Sequence, residues 1–222
     1  MNATFESTES LQKKIDHLIL ELDQKDRMQR KIQFLLDIRG LLVINKIIGQ
    51  YVEFGVYRGE MMYAAQKILG GNISKFIGLD TFEGLPEPAF ADQEKFVFER
   101  AGFMSAAEQQ VAKMTTDAQA QLIKGDFRDL RIADAAKSTF DNLSVVVIDS
   151  NWPSSNEAAL DLAIPYVQNG TIVFFDDYFT ATRDGNYTND KIEIIQKQGE
   201  IKFHYFNTYA PCAVAYIIEK QT

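Results

Sequence analysis

The chain has 222 residues, and 23 basic against 31 acidic residues give it a formal net charge of -8. This length suits one sizeable core, and the acidic balance, without a long run of Lys and Arg, argues against a nucleic acid partner. No apolar span is long enough for a membrane crossing, and the first residues lack the order of a secretion signal. The single cysteine, Cys212, agrees with a reducing compartment. These features predict a cytoplasmic protein.

The first predicted element is helical and covers residues 10 to about 48. Four apolar residues in it are spaced by four, three and four positions and form a seam: Leu11, Ile15, Leu18 and Leu22. Such a seam needs a partner surface, which is either the chain's own main domain or a second copy in a homodimer. The spacing leaves both alternatives open. We expect residues 1–49 to form a helical extension of a domain at residues 50–222.

After residue 50, short apolar runs alternate with helical stretches, a pattern typical of a parallel sheet covered by helices. Seven strands are predicted, near residues 51–54, 75–79, 120–123, 144–149, 171–175, 201–206 and 213–218. The last two are too close for a crossover helix, so they should pair antiparallel. The predicted fold class is therefore α/β: a mostly parallel seven-stranded sheet with an antiparallel last strand and helices on both faces. This Rossmann-like arrangement is that of class I methyltransferases.

The turn after the first predicted strand carries two glycines, Gly55 and Gly59, in the segment YVEFGVYRGE. Ligands of open parallel sheets bind at the carboxyl ends of the strands, where glycines let the backbone approach them closely. The spacing matches neither Gly-x-Gly-x-x-Gly nor a P-loop. The second strand ends in Asp80, where a carboxylate can accept hydrogen bonds from both ribose hydroxyls; a turn residue is the alternative. We therefore expect a nucleoside ligand with little or no phosphate.

Four segments of the chain, taken in order, resemble the macrocin O-methyltransferase family: VEFGVYRG, IGLDTFEGLPEP, LIKGDFRDL and FFDDYF. Members of that family are S-adenosylmethionine-dependent, metal-assisted enzymes that methylate sugar hydroxyls. The resemblance therefore implies S-adenosylmethionine and Mg²⁺, or another divalent cation, as cofactors. It also implies a small hydroxylated acceptor, such as a sugar or another natural product.

The resemblance carries over to a set of cofactor positions. Glu53 and the two glycines would frame the methionine end of the cofactor, and Asp80 would bind its ribose. Asp126 would lie at the adenine edge, with the N-cap of the next helix as the alternative for this residue. The full set of predicted cofactor-binding residues is Glu53, Gly55, Val56, Tyr57, Arg58, Gly59, Asp80, Thr81, Phe82, Gly125, Asp126, Phe127 and Asp149.

Three acidic residues lie at the ends of the fourth and fifth predicted strands: Asp149, Asp176 and Asp177. Adjacent strand ends would bring these carboxylates together, and hard oxygen ligands suit Mg²⁺ better than Zn²⁺. Like charges crowded at strand ends are costly without a cation, which favours a metal site over separate helix caps. A bound divalent ion would hold two vicinal hydroxyls and lower the pKa of the one to be methylated.

The catalytic position departs from the family pattern. Family members have Asp-Gly-Asp after the fourth strand, and the second Asp is the expected general base; this chain has Asp-Ser-Asn at residues 149–151. The amide of Asn151 cannot accept the proton. Either another group takes the proton, or the metal alone acidifies the acceptor, or the substrate is already acidic. Asp177, Asp184 and Tyr187 are stand-ins by position alone, and Asn151 and Asp177 are the candidate catalytic residues.

Two other functions stay open at this point. The missing base would also fit a protein that binds cofactor without turnover, or a partner subunit. A nucleotide-dependent oxidoreductase on NAD(P) is disfavoured by the absence of a third glycine and by the antiparallel last strand.

Overall fold

The computed structural model describes residues 8–87, 105–106, 108–114, 119–179, 187–209 and 212–221. The described residues form seven strands: β1 Gly49–Phe54, β2 Ile73–Asp80, β3 Ala120–Lys124, β4 Leu143–Ile148, β5 Val167–Phe175, β6 Ile201–Tyr209 and β7 Ala213–Lys220. They also form six α-helices: α1 Thr8–Ile44, α2 Glu60–Leu69, α3 Glu108–Met114, α4 Leu130–Lys137, α5 Pro153–Ala163 and α6 Tyr187–Lys197. All seven predicted strands are thus present, with bounds shifted by a few residues.

The strands make one sheet in the order β3-β2-β1-β4-β5-β7-β6. Neighbours from β3 to β5 are all parallel, whereas β7 runs antiparallel to both β5 and β6. The predicted fold class is confirmed, because β7 is the one described strand that opposes the others. The strand order reverses between β1 and β4, and at such a switch point parallel sheets bind ligands beyond the strand ends.

Each face of the sheet has its own apolar core. Val145 and Val147 of β4 pack in the core with α1 and α2, whereas Val146 and Ile148 pack in the core with α4, α5 and α6. The alternation follows from the two-residue repeat of a strand. Helices therefore cover both faces, and the carboxyl edge of the sheet stays between them.

Helix α1 is 37 residues long, and only its second half is anchored in the core. Four of its side chains there are completely buried: Phe34, Leu35, Ile38 and Leu42. The helix ends four residues earlier than predicted, since Lys46 takes a left-handed backbone conformation with φ 55°. This anchored half places the middle of α1 against the sheet.

The first half of α1 projects from the sheet. Ile15, Leu18 and Leu22 expose 55 %, 54 % and 65 % of their surfaces. Packing of the seam on the chain's own domain was therefore the wrong alternative for these three residues; the side chain of Leu11 lies outside the described residues. The domain division at residue 49 stays a prediction. Neither α1 nor any other described helix has the combined length and apolar character that spanning a membrane requires.

Candidate active site

The turns at the carboxyl edge of the sheet are joined sideways by backbone hydrogen bonds. Four N–H groups donate across neighbouring strands at 2.9–3.0 Å: Gly55 to Leu79, Gly125 to Asp80, Asp149 to Phe54 and Asp176 to Ile148. Each bond continues the parallel ladder by one residue past a strand end. The predicted site residues that follow β1, β2, β3, β4 and β5 therefore lie along one edge.

The turn after β1 is built around Gly55. Its φ is +88°, and a Cβ added there would lie 2.0 Å from the backbone oxygen of Asp149. Glycine is thus required by both the backbone conformation and the close approach of the turn after β4. Gly59, with φ 79°, is the N-cap residue of α2. Whether these glycines also admit a cofactor stays a prediction.

Asp80 binds the backbone of its own neighbourhood. One carboxylate oxygen accepts hydrogen bonds from the N–H groups of Val56 and Tyr57, both at 2.7 Å, and the other accepts from Phe82 at 2.7 Å. The alternative role as a turn residue is therefore confirmed for Asp80. A carboxylate has about four lone-pair sites. Three of those of Asp80 are used by backbone N–H groups, so one remains for the predicted ribose contact.

Several other predicted cofactor positions contribute to packing or to turns. Phe127 is buried, and its ring centroid lies 5.2 Å from that of Phe54. The Thr81 hydroxyl donates to the backbone oxygen of Gly84 at 2.6 Å. The guanidinium of Arg58 lies over the ring of its neighbour Tyr57, 4.9 Å from the centroid. Val56 and Phe82 are buried in the core on the α1 face.

Asp126 is paired with Arg128. The guanidinium donates to both oxygens of Asp126, from Nε at 3.1 Å and from Nη2 at 2.8 Å. Arg128 also donates to the backbone oxygen of Glu87 and to the hydroxyl of Ser154. The N-cap alternative for Asp126 is wrong, because α4 is capped by Asp129. Asp126 instead fixes an arginine that joins three segments at the rim of the site.

The predicted carboxylate cluster, Asp149, Asp176 and Asp177, is assembled. One carboxylate oxygen of each lies within 4.8 Å of the others. A residue that the sequence analysis missed, Lys31 of α1, reaches into this cluster. Its Nζ lies 2.5 Å from Asp149 Oδ2 and 3.1 Å from Asp176 Oδ2, and its side chain is only 15 % exposed.

A sequence signal for Lys31 existed. Lys31 lies three and four residues before Phe34 and Leu35, so it occupies the same helix face as those buried residues. A lysine that is buried on the apolar face of a helix needs acidic partners nearby. The acids at the ends of β4 and β5 are such partners.

Burial and charge together shift the pKa values in the cluster. Burial by itself would lower the pKa of the Lys31 ammonium, but attraction by Asp149 and Asp176 outweighs burial and holds it above its ordinary value. Burial raises the pKa of Asp149, and repulsion by Asp176 adds to that effect while Lys31 opposes it. Lys31 is therefore a permanent cation at neutral pH.

Glu53 lies on β1, which neighbours β4, and it is only 1 % exposed. Burial raises its pKa to about 8, repulsion by Asp149 adds to the shift, and the hydrogen bond from the Tyr51 hydroxyl opposes it. The site thus contains a buried carboxyl with a raised pKa beside the carboxylate cluster.

The position of the missing base is next to another acid. Asn151 Nδ2 donates to Asp177 Oδ2 at 3.2 Å. The two predicted catalytic residues are therefore in contact, and the amide orients the carboxylate. Asp184 lies outside the described residues, and so does the side chain of Tyr187.

The donor atoms of the cluster are those that Mg²⁺ prefers. However, the ammonium of Lys31 lies against two of the three carboxylates that would bind the ion. With Lys31 docked in this way, the cluster does not fit a divalent cation.

Comparison with known proteins supplies a family and a fold. The sequence model of the macrocin-O-methyltransferase (TylF) family matches residues 25–192, whereas no curated protein matches the chain. The O-methyltransferase NovP is similar in structure with a TM-score of 0.69 and 20 % identity, over 85 % of this chain and 79 % of NovP. The calicheamicin methyltransferase CalS11 has a TM-score of 0.57 and 18 % identity, over 97 % and 87 % of the two chains. The SAH-bound methyltransferase PaMTH1 of Podospora anserina has a TM-score of 0.56 and 10 % identity, over 100 % of both chains.

Proposed function

Because the chain belongs to the macrocin-O-methyltransferase family, it is an S-adenosylmethionine-dependent O-methyltransferase, and we propose that its acceptor is a hydroxyl of a sugar or a related small polyol. One observation carries the proposal: polar and acidic side chains meet beyond β4 and β5, directly beside the glycine turn of β1. The similarity to CalS11, which is described as a TDP-rhamnose 3'-O-methyltransferase, supports a sugar acceptor. The family match argues against the oxidoreductase alternative.

We place the cofactor across the ends of β1, β2 and β3. Its methionine end would lie at the turn of Gly55 beside Glu53, and its ribose at the remaining acceptor site of Asp80. Its adenine would lie near Asp126 and Phe127. The turns that carry these residues are joined by backbone hydrogen bonds, which supports a single continuous site.

Methyl transfer would proceed by direct displacement. Bound S-adenosylmethionine would supply the methyl group to the acceptor oxygen, with its carbon–sulfur bond breaking and S-adenosylhomocysteine as the product that leaves. Asp177 would take the hydroxyl proton, with Asn151 as its positioning residue, because the Asn151 amide donates to one oxygen of Asp177. Alignment of the three reacting atoms supplies most of the rate enhancement, and the base adds about 10²–10⁴-fold.

The family resemblance implies a divalent cation, which the cluster does not fit while Lys31 is docked. Asp149, Asp176 and Asp177 are the residues that would hold it, and it would acidify the acceptor hydroxyl. Since Lys31 contacts two of these carboxylates, the mechanism above includes no step through a metal.

Calorimetric titration of S-adenosylmethionine into the purified protein tests the cofactor site. Mass spectrometry of reactions with nucleotide sugars, free sugars, polyols and a catechol then tests the acceptor. We expect a product heavier by one methyl group with at least one sugar or polyol. Methylation of the catechol alone would overturn the acceptor proposal, whereas absence of cofactor binding would overturn the cofactor site.

We also propose that the chain forms a homodimer through the exposed seam on the first half of α1. Ile15, Leu18 and Leu22 lie on one face of this helix, at a spacing that suits pairing with a second helix. Light scattering after size exclusion should give a dimer mass for the wild type and a monomer mass for a variant with Leu18→Glu and Leu22→Glu. The control Glu21→Lys, on a neighbouring exposed position, should stay dimeric. A monomeric wild type would contradict the proposal.

A further inference from the structure

Neither the family nor the proposed chemistry accounts for the contact of Lys31 with Asp149 and Asp176. We infer that Lys31 is the resident cation of the carboxylate cluster and takes the place of a divalent metal ion. The cluster then needs no metal and excludes one while α1 is docked. The inference concerns cation occupancy, and it rests on the proposed function only for its consequence in catalysis.

The position of Lys31 is determined by packing one turn further along α1. The ring centroid of Phe34 lies 4.3 Å from that of Phe174, which is two residues before Asp176. The Tyr209 hydroxyl also donates to Asp37 at 2.9 Å, so β6 holds the same part of the helix. Lys31 is therefore fixed by a packed helix and does not reach the site as a flexible surface side chain.

The ammonium and a divalent ion would compete for the same oxygens. Lys31 Nζ lies 2.5 Å from Asp149 and 3.1 Å from Asp176, and a divalent ion would need these oxygens at about 2.0–2.6 Å. Two cations within a few ångströms in a partly buried site repel each other strongly. Metal binding would thus require Lys31 to leave, and its withdrawal would bury an unpaired charge or undock α1.

An ammonium in place of a metal ion changes which acceptor hydroxyls the site can bind. A metal ion can chelate two vicinal hydroxyls, whereas an ammonium is a compact charge with three donors. Two of those donors face Asp149 and Asp176, which leaves one for an acceptor oxygen. We therefore expect that the enzyme does not require a second hydroxyl beside the reacting one in its acceptor.

Binding of Mn²⁺, followed by electron paramagnetic resonance on the full chain, tests the inference directly. The wild type should bind no Mn²⁺ at micromolar concentrations, and Lys31→Met should bind it at least tenfold more tightly than the wild type. Lys191→Met is the matched control, because Lys191 is comparably buried but pairs with the single carboxylate of Asp161. It should leave Mn²⁺ binding unchanged.

Two outcomes would overturn the inference. One is Mn²⁺ binding by the wild type that is lost in Asp176→Asn; the other is a folded Lys31→Met that binds no Mn²⁺. If Lys31→Met fails to fold, acetylation of wild-type lysines, mapped by mass spectrometry, decides: Lys31 should react at least tenfold more slowly than the half-exposed Lys137. Equal rates would contradict the inference. These readouts require neither cofactor nor acceptor, so they stand even if the proposed function fails.

Discussion

The two sides of the site are built by different forces. The cofactor side that we propose comprises the turns after β1, β2 and β3, which backbone hydrogen bonds and left-handed glycines hold together. The acceptor side that we propose comprises the carboxylate cluster, Asn151 and Lys31, and ion pairs and a hydrogen bond hold these residues together. The family motifs lie mostly on the first side, whereas the departure at Asn151 lies on the second. A site that backbone hydrogen bonds hold together tolerates few substitutions. A site that charge holds together can bind one cation in place of another.

The largest effect is expected where the two sides touch. Gly55→Ala would place a Cβ 2.0 Å from the backbone oxygen of Asp149, at a φ of +88°. We expect the free energy of unfolding to fall by about 3 kcal/mol or more, measured by urea denaturation with circular dichroism. Gly71→Ala is the control, since no atom lies within 4 Å of its added Cβ. Equal stability of the two variants would refute a close-packed boundary between the sides.

On the acceptor side, Asp177→Asn should abolish most activity without affecting the cofactor. Loss of the base should lower kcat by about 10²–10⁴-fold, while calorimetry should give an unchanged Kd for S-adenosylmethionine. Asp161→Asn, a distant exposed acid paired with Lys191, should retain wild-type kcat. If Asp177→Asn weakened cofactor binding as much as turnover, the two sides would not be separable.

On the cofactor side, Asp80→Asn should lower both stability and affinity. The variant turns one acceptor oxygen into a donor that faces a backbone N–H, so hydrogen bonds to Val56 and Tyr57 or to Phe82 are lost. Bonds to a charged group contribute about 1.5–3 kcal/mol, and we expect thermal unfolding to report a loss of that order. The Kd for S-adenosylmethionine should rise at least tenfold. Asp134→Asn, at an exposed position, should change neither value.

The smallest effect, taken per pH unit, is on the pH dependence of stability at Glu53. Its pKa rises to about 8 in the folded chain from an ordinary value of 4.5, so between these values the native state binds more protons than the unfolded state. Stability contributed by the protonated carboxyl is present at low pH and is lost as pH rises through this window, by up to about 1.4 kcal/mol per pH unit. Glu53→Gln should remove this slope, whereas Glu60→Gln on α2 should retain it. Parallel pH profiles for wild type and Glu53→Gln would contradict the assignment.

The sequence predicts the site only where the order of strands and turns fixes the positions of its residues. Asp149 and Asp176 were expected to meet because parallel strands end at one edge, and they do. Asp126 and Asp129 both precede α4, and the sequence does not tell which of them caps the helix. Arg128 decides it by pairing with Asp126, which leaves Asp129 as the cap.

The sequence by itself determined the strands, the glycine turn and the order of the acidic strand ends, because hydrophobic period and turn chemistry act between near neighbours. Only the tertiary structure decided the partners of the buried charges. Lys31 is 118 residues from Asp149 in the chain, and the two meet because α1 docks on the sheet through Phe34 and Leu35. The same docking brings the Lys31 ammonium against two carboxylates of the cluster.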